Sequence, residues 1–192
     1  MSRDAILKAI RAVRPAEVAR PNVAARISSA PPLTDAALAF ANAAEAASAR
    51  VIRGRRADLA ALIEAAYPPI GRNVSAMNDI DASAPAELPH SFANTDVFVC
   101  EAVLGVAENG AVWLPLSRLR HRAALFLALN VVVVLDAEKV VSDLHRAYES
   151  IDASAEGFGV FVAGPSKTAD IEQSLVIGAH GAKSLTVVLL SS

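Results

Sequence analysis

The residues best suited to bind a ligand follow a short apolar run near the C-terminal end of the chain. The run predicts a buried strand, and Gly164-Pro165 must end it because proline cannot donate a hydrogen bond to a sheet. Ser166 and Thr168 predict the N-terminus of a helix, since both side chains can accept hydrogen bonds from helix N–H groups. A strand that turns into a helix leaves free N–H groups where open α/β sheets bind anions. The candidate ligand-binding residues of this turn are Gly164, Ser166, Lys167 and Thr168.

The same turn also fits a capped helix that binds nothing. Asp170 would lie in the first helical turn, where its carboxylate complements the helix dipole and repels a phosphate. The spacing is not that of a P-loop, because no G-x-x-x-x-G-K-[ST] run is present. From the residues alone, a ligand-binding turn and a plain helix cap stay equally open.

Three charged side chains earlier in the chain are further candidates. Glu108 precedes Asn109-Gly110 in a predicted β-hairpin, where its carboxylate is either solvated or placed as a catalytic base or nucleophile. Arg118 and Arg122 stand near the start of a predicted helix, and guanidinium groups match the geometry of carboxylates and phosphates. If the strands before Glu108 and Gly164 end at the same edge of one sheet, these groups line one cleft.

Histidine and cysteine give no pattern of a metal site. None of the histidines pairs with another histidine or with the cysteine at metal-ligand spacing, so no metal is predicted. His180 follows the helix predicted after Thr168, where it either interacts with the helix C-terminus or belongs to the ligand site. Cys100 is the single cysteine, and an iron–sulfur cluster normally needs several cysteine ligands. We therefore expect no cofactor on this chain.

Composition and charge narrow the class of protein. Hydrophobic residues make up 54% of the 192 residues, which is enough for a packed core. The net charge of −2 argues against a general nucleic-acid binder. The longest apolar stretch, at 123–135, is too short to span a membrane, and the N-terminus lacks the apolar core of a signal peptide. We therefore expect a cytoplasmic protein.

Predicted strands and helices alternate along the chain. Helices are predicted at 33–49, 58–67, 118–127 and 137–148 and after Thr168, and strands at 49–52, 70–76, 96–99, 102–107, 111–114, 131–135, 158–163 and 184–190. This alternation predicts a three-layer α/β/α fold with a largely parallel or mixed sheet. A basic amphipathic helix opens the chain, and Pro15 ends it. We expect an N-terminal basic helix and linker at 1–32 and a single α/β domain at 33–192.

The last hundred or so residues resemble the LUD-domain family. The resemblance rests on Ala107-Glu108-Asn109-Gly110, on Gly178-Ala179-His180-Gly181 and, most specifically, on the run G-P-S-K-T-A-D-I-E at 164–172. The opening residues, from Met1 to Leu7, are similar to the first helix of the lactate-utilisation subfamily. One departure is that the family usually has E-T-G where this chain has Glu108-Asn109-Gly110.

This resemblance implies a fold related to sugar-phosphate isomerases and coenzyme A transferases. It also implies a non-redox role beside an iron–sulfur protein subunit and a further lactate-oxidation subunit, in the oxidation of L-lactate to pyruvate. Two other functions stay open. Glu108-Asn109-Gly110 also resembles the E-N-G of family I coenzyme A transferases, whose glutamate is the nucleophile, and the turn at Gly164 suits a module that binds or senses an organic acid or another small anion. Assembly into a homo-oligomer stays open as well.

Overall fold

The structure, a computed structural model, describes residues 2–15, 18–19, 21–22, 33–67, 71–80, 88–171 and 174–191. The chain forms two compact units, Met1–Pro31 and Pro32–Ser192. In the first unit, helix α1 (Arg3–Ala12) begins after Ser2, whose hydroxyl accepts a hydrogen bond from the N–H of Ala5. No residue of this described helix is buried.

A sheet of parallel strands forms the centre of the second unit. The strands formed by the described residues are β1 Arg50–Gly54, β2 Asn73–Ser75, β3 Val97–Glu101, β4 Leu104–Val106, β5 Ala111–Pro115, β6 Asn130–Asp136, β7 Val140–Val141, β8 Gly159–Val162, β9 Lys167–Ile171, β10 Ser174–Ile177 and β11 Ser184–Leu190. The central sheet has the order β1-β11-β6-β3-β2, and each neighbouring pair is parallel. Strand β6 lies in the middle and is buried along 131–135, as expected for an apolar run in a central parallel strand. The predicted α/β fold with a largely parallel sheet is confirmed.

Different elements cover the two faces of the central sheet. The described residues of the second unit form the α-helices α2 Ala36–Ala46, α3 Leu59–Ala66, α4 Leu116–Leu119, α5 Arg122–Leu127, α6 Leu144–Ser150 and α7 Ala153–Glu156. On one face, Val132 of β6 packs in a cluster with Leu59 of α3. On the other face, Val133 packs in a cluster with Phe40 of α2 and Val112 of β5. Because alternate residues of a strand point to opposite faces, β6 anchors both layers of the core.

A second sheet, of order β7-β4-β5-β8, lies beyond this second face. Its strands β4 and β5 form the antiparallel hairpin that Asn109-Gly110 predicts. Val106 pairs with Ala111, so the connection runs over 107–110 and is longer than a two-residue turn. Gly110 has a φ of +68°, whereas Asn109 accepts a hydrogen bond from the N–H of Ala111 through its side-chain oxygen. Asn109 does not adopt a positive φ, so the turn differs from the two-residue type in which both central residues do.

The helix predicted after Thr168 is wrong, because this segment forms the antiparallel strands β9 and β10. Apolar residues over so short a segment do not distinguish a helix from a strand. Two backbone hydrogen bonds fix the hairpin: the N–H of Ser166 donates to the oxygen of Ala182, and the N–H of Gly178 donates to the oxygen of Ser166. Ser166 and Thr168 are therefore not helix caps, and the helix N-terminus expected to bind an anion is not formed.

Two other predicted helices are interrupted. The helix predicted at 118–127 divides into α4 and α5, because Arg120 between them has a φ of +54°. The helix predicted at 137–148 begins as a 3-10 turn, Ala137–Lys139, capped by Asp136, and the chain then enters β7 before α6 begins after Asp143. The pairing of β7 with β4 in the second sheet overrides the local helix preference.

Candidate functional site

The turn at Gly164 lies at the amino end of the parallel sheet. Gly164, Ser166 and His180 line a cavity of about 380 Å³ together with apolar residues from the beginning of β6 and β11, including Val131 and Leu185. The amides of Ser166 and Gly178 are already bonded within the protein, so these N–H groups are not available to an anion. We call this space the amino-end cavity.

Lys167 and Gly164 contact the C-terminal end of helix α2. The ammonium group of Lys167 donates a hydrogen bond to the carbonyl oxygen of Ala47, the residue that follows α2. A Cβ added to Gly164 would lie 2.0 Å from the same oxygen. A lysine on the last carbonyls of a helix stabilises its C-terminus, and the negative end of the helix dipole disfavours a bound anion. This packing favours a structural role for the turn.

Thr168 and His180 lie beside each other at the exposed end of this hairpin. The hydroxyl oxygen of Thr168 is 3.5 Å from Nδ1 of His180, and the histidine is exposed. Because strand β10 replaces the predicted helix, the interaction of His180 with a helix C-terminus is wrong. The proposed ligand role of these two side chains stays a prediction.

Glu108 lies at the same end of the second sheet as Gly164. Strands β4 and β8 both run antiparallel to β5, which lies between them, so Glu108 after β4 and Gly164 after β8 leave the sheet in the same direction. Glu108 is nevertheless not among the residues that line the amino-end cavity. Its carboxylate accepts a hydrogen bond, 3.1 Å long, from the N–H of Leu144 at the start of α6. This contact favours a capping role, and the catalytic role of Glu108 stays a prediction.

The two predicted arginines are not brought to this turn. The Arg122 guanidinium lies over the ring of Phe158, 5.7 Å from its centroid. Arg118 lies at the opposite, carboxyl end of the parallel sheet, where Glu101 ends β3. The hypothesis of one cleft formed by Glu108, the Gly164 turn and an arginine is therefore wrong as to the arginines.

The carboxyl end of the sheet holds a polar cavity of about 410 Å³, which we call the arginine cavity. Its lining residues are Arg56, Ala76, Met77, Asn78, Asp79, Glu101, Ser117, Arg118 and Arg120. Open α/β sheets place their ligands outside the carboxyl ends of the strands. Arg118 in this lining is one of the candidate ligand-binding residues selected from the sequence. The signal that sequence reasoning missed is that charged residues end or closely follow two predicted strands, Glu101 at β3 and Arg56 after β1.

Glu101 holds two of the arginines in place. One carboxylate oxygen accepts a hydrogen bond from Arg56, and the other accepts a hydrogen bond, 2.7 Å long, from Nη1 of Arg118. Nη1 of Arg56 also donates to Asp79, with an N···O distance of 3.3 Å. The Glu101 carboxylate, only 19% exposed, raises the pKa of the Arg56 guanidinium above its usual value. The carboxylate therefore keeps Arg56 charged, and its two hydrogen bonds fix the orientation of Arg56 and Arg118.

Arg120 enters the same cavity from a strained backbone. Its φ of +54° and ψ of −39° lie outside the left-handed region that non-glycine residues tolerate, and the N–H of His121 donates to the oxygen of Leu119 across it. This is the rare, positive-φ form of the γ-turn. The guanidinium of Arg120 donates a hydrogen bond to the side-chain oxygen of Asn78. Strain of this kind clusters at functional sites, so the observation points to the arginine cavity.

Among the residues that the structure describes, no three His, Cys, Asp or Glu side chains lie close enough together to hold a metal ion. The described helices also include none that is long and apolar enough to cross a membrane.

The comparison with family models defines the class of protein. The model of the LUD domain matches residues 34–190, and the chain belongs to the LUD-domain family. The resemblance noted in the sequence is thereby confirmed. Several proteins similar to this chain are named lactate utilization protein C. This agrees with the similarity of the opening residues to the lactate-utilisation subfamily.

The match to these relatives is partial. Lactate utilization protein C of Bacillus pumilus is 33% identical over 82 residues, which cover 40% of this chain and 34% of the relative. The protein of that name from Geobacillus kaustophilus is 28% identical over 130 residues, which cover 65% of this chain and 48% of the relative. The chain thus spans about half or less of the length of the curated relatives described here.

A crystal structure supports the fold. A DUF162 family protein from Deinococcus radiodurans superposes with a TM-score of 0.65 and 15% identity, covering 83% of this chain and 99% of that one. At this identity, the likeness concerns the fold alone.

Proposed function

We propose that this chain is a non-redox subunit or accessory protein of an iron–sulfur system that oxidises L-lactate to pyruvate. The observation that carries the proposal is the match of the LUD-domain model to residues 34–190, joined to relatives named lactate utilization protein C. The redox centres belong to an iron–sulfur protein subunit, and a further lactate-oxidation subunit completes the system. We place this assembly in the cytoplasm.

The environment of Cys100 supports placing the clusters on another chain. Cys100 lies on β3 and is fully buried in the core between the parallel sheet and the second sheet. Burial raises the pKa of its thiol. Because the thiolate is the form that ligates iron, a buried neutral thiol is a poor cluster ligand.

The arginine cavity supports a role with a carboxylate substrate or product. Lactate and pyruvate both carry a carboxylate, and guanidinium groups bind carboxylates through paired N–H donors. The cavity lies at the end of the sheet where α/β proteins hold their ligands. This geometry is consistent with a subunit that receives or delivers an organic acid.

The proposal is tested by tagging the chromosomal gene and isolating the protein from cells grown on L-lactate. We expect an iron–sulfur protein to co-purify, recognised by its visible absorption and by mass spectrometry. A tagged cytoplasmic protein of similar abundance serves as the control for unspecific recovery. In parallel, deletion of the gene should abolish growth on L-lactate and leave growth on glucose unchanged. Normal growth of the deletion strain on L-lactate, with no iron–sulfur protein recovered, contradicts the proposal.

A further inference from the structure

We propose that the arginine cavity binds a small monocarboxylate through the edge of Arg118 that faces away from Glu101. The class of ligand follows from the cavity itself. The narrower choice of a 2-hydroxy or 2-oxo acid, such as L-lactate or pyruvate, rests on the proposed function.

Arg118 is oriented by one partner and keeps a pair of donors for another. Its Nη1 donates to Glu101, and in the part of the chain that the structure describes this is its only hydrogen-bond partner. Nε and Nη2 lie on the other edge of the planar guanidinium group, where two parallel N–H bonds can reach the two oxygens of one carboxylate. A donor pair held by a carboxylate on its opposite edge is pre-organised, so a ligand has less side-chain freedom to remove.

The charge of the cavity fits a single negative charge. Three guanidinium groups (Arg56, Arg118, Arg120) face two carboxylates (Asp79, Glu101), which leaves a net charge of +1. A monoanion neutralises this charge. A phosphate dianion would overcompensate it and lie close to two carboxylates, so the balance disfavours phosphate.

The backbone at Arg120 supplies an independent reason to expect a ligand. The strained γ-turn between α4 and α5 places Arg120 in the same cavity as Arg118, where it contacts Asn78. Ser117 lies in the lining next to Arg118. The amide of Asn78 and the hydroxyl of Ser117 offer partners for a hydroxyl or carbonyl group next to the carboxylate of the ligand.

The experiment is an NMR titration of the isotopically labelled chain with sodium L-lactate, sodium pyruvate and inorganic phosphate, at constant pH and ionic strength. We expect saturable shifts of the amides at 76–79 and 117–120 with the two monocarboxylates, and weaker binding of phosphate. Arg118→Gln should weaken monocarboxylate binding about tenfold or more, because it removes a charged hydrogen-bond pair. Arg118→Lys should weaken it as well, since lysine keeps the charge but not the planar fork. Arg146→Gln is the matched control, because Arg146 is an exposed arginine of α6 paired with Glu149.

Several outcomes would overturn the inference. They are shifts confined to the residues around Gly164 and His180, the absence of saturable shifts with both monocarboxylates, tighter binding of phosphate, or an Arg118→Gln variant that binds like the wild type. The shift map of the wild-type chain decides the location even if a variant does not fold. If neither monocarboxylate binds the cavity but growth on L-lactate still depends on the gene, the inference is rejected and the proposed function stands. If the monocarboxylates bind the cavity but no iron–sulfur protein co-purifies and growth does not depend on the gene, the proposed function is rejected and monocarboxylate binding stands.

Discussion

The two ends of the parallel sheet carry cavities of similar size and opposite chemistry. The arginine cavity, of about 410 Å³, is lined by three arginines, two acids and two small polar side chains. The amino-end cavity, of about 380 Å³, is lined mainly by apolar side chains and by the Gly164 turn. At the carboxyl end, the charged groups bond one another and retain unused donors. At the amino end, the amides of Ser166 and Gly178 are bonded within the fold.

The two cavities differ because different elements pack against the two ends of the parallel sheet. The C-terminal end of α2 lies against the Gly164 turn, and Lys167 donates a hydrogen bond to the carbonyl oxygen of Ala47, the residue that follows the helix. The arginine cavity is lined instead by charged side chains from four places: the segments after β1 and β2, the end of β3, and the C-terminal end of α4. These contacts favour a structural role for the Gly164 turn, whereas Arg118 keeps unused side-chain donors at the carboxyl end of the sheet.

The largest expected effect tests whether the Gly164 turn is structural. Gly164→Ala adds a Cβ at a φ of +71°, 2.0 Å from the oxygen of Ala47, and should lower the free energy of unfolding by about 3 kcal/mol or more. Gly157→Ala is the control: Gly157 also has a positive φ, +64°, but nothing lies within 4 Å of the added Cβ. It should cost about 1–2 kcal/mol from backbone strain alone. Equal losses in urea unfolding would contradict the contact with α2.

The buried thiol of Cys100, in the core between the two ends of the sheet, makes the free energy of unfolding depend on pH. Burial raises the pKa of the Cys100 thiol, so the folded state keeps the proton that the unfolded state loses above the ordinary value of 9.0. The free energy of unfolding of the wild type should therefore fall above pH 9.0, relative to Cys100→Ala, by up to about 1.4 kcal/mol per pH unit. Urea unfolding of both proteins at a series of pH values measures this difference. A difference that stays constant with pH would show that the thiol is accessible or unperturbed.

A smaller effect on stability tests the ion pairs that Glu101 forms in the arginine cavity. Glu101→Gln removes the carboxylate that bonds Arg56 and Arg118, and should cost about 1 kcal/mol because the pair is partly exposed. It also raises the net charge of the cavity from +1 to +2, so phosphate should bind more tightly than to the wild type. Glu149→Gln, which breaks the exposed pair with Arg146, serves as the control and should cost less than about 0.5 kcal/mol. If Glu101→Gln changes neither the free energy of unfolding nor the affinity for phosphate, Glu101 does not hold the two arginines in place.

The smallest expected effect concerns Lys167. Lys167→Met removes the ammonium group that bonds the oxygen of Ala47, and should lower the free energy of unfolding by about 0.5 kcal/mol. Binding of L-lactate should not change, since Lys167 is not among the residues of the arginine cavity. Lys139→Met, at an exposed lysine, is the control. Loss of lactate binding in Lys167→Met would return the ligand site to the Gly164 turn.

Much of the fold follows from local patterns in the sequence. The apolar run at 131–135 predicts the central strand, since only a strand covered on both faces tolerates such a run. The Asn109-Gly110 pair predicts the β4–β5 hairpin, and the alanine-rich segment at 33–49 predicts helix α2. These features depend on residues close together in the chain, so neighbouring side chains determine them.

The identity of the Gly164 segment and the location of the site depended on tertiary structure. The residues after Thr168 suit a helix or a strand, and the hydrogen bonds of Ser166 with Ala182 and Gly178 selected the strand. The arginine cavity joins Arg56, Glu101 and Arg118 from three distant segments, which meet because parallel strands bring their carboxyl ends to one edge. The sequence by itself determined the strands of the parallel sheet, the β4–β5 hairpin, helices α2 and α3, and the resemblance to the family. Strands β7, β9 and β10 form where it predicted helices. Only the packing of segments far apart in the chain decided which charged groups share a cavity, because electrostatic contacts depend on distance in space rather than on separation along the chain.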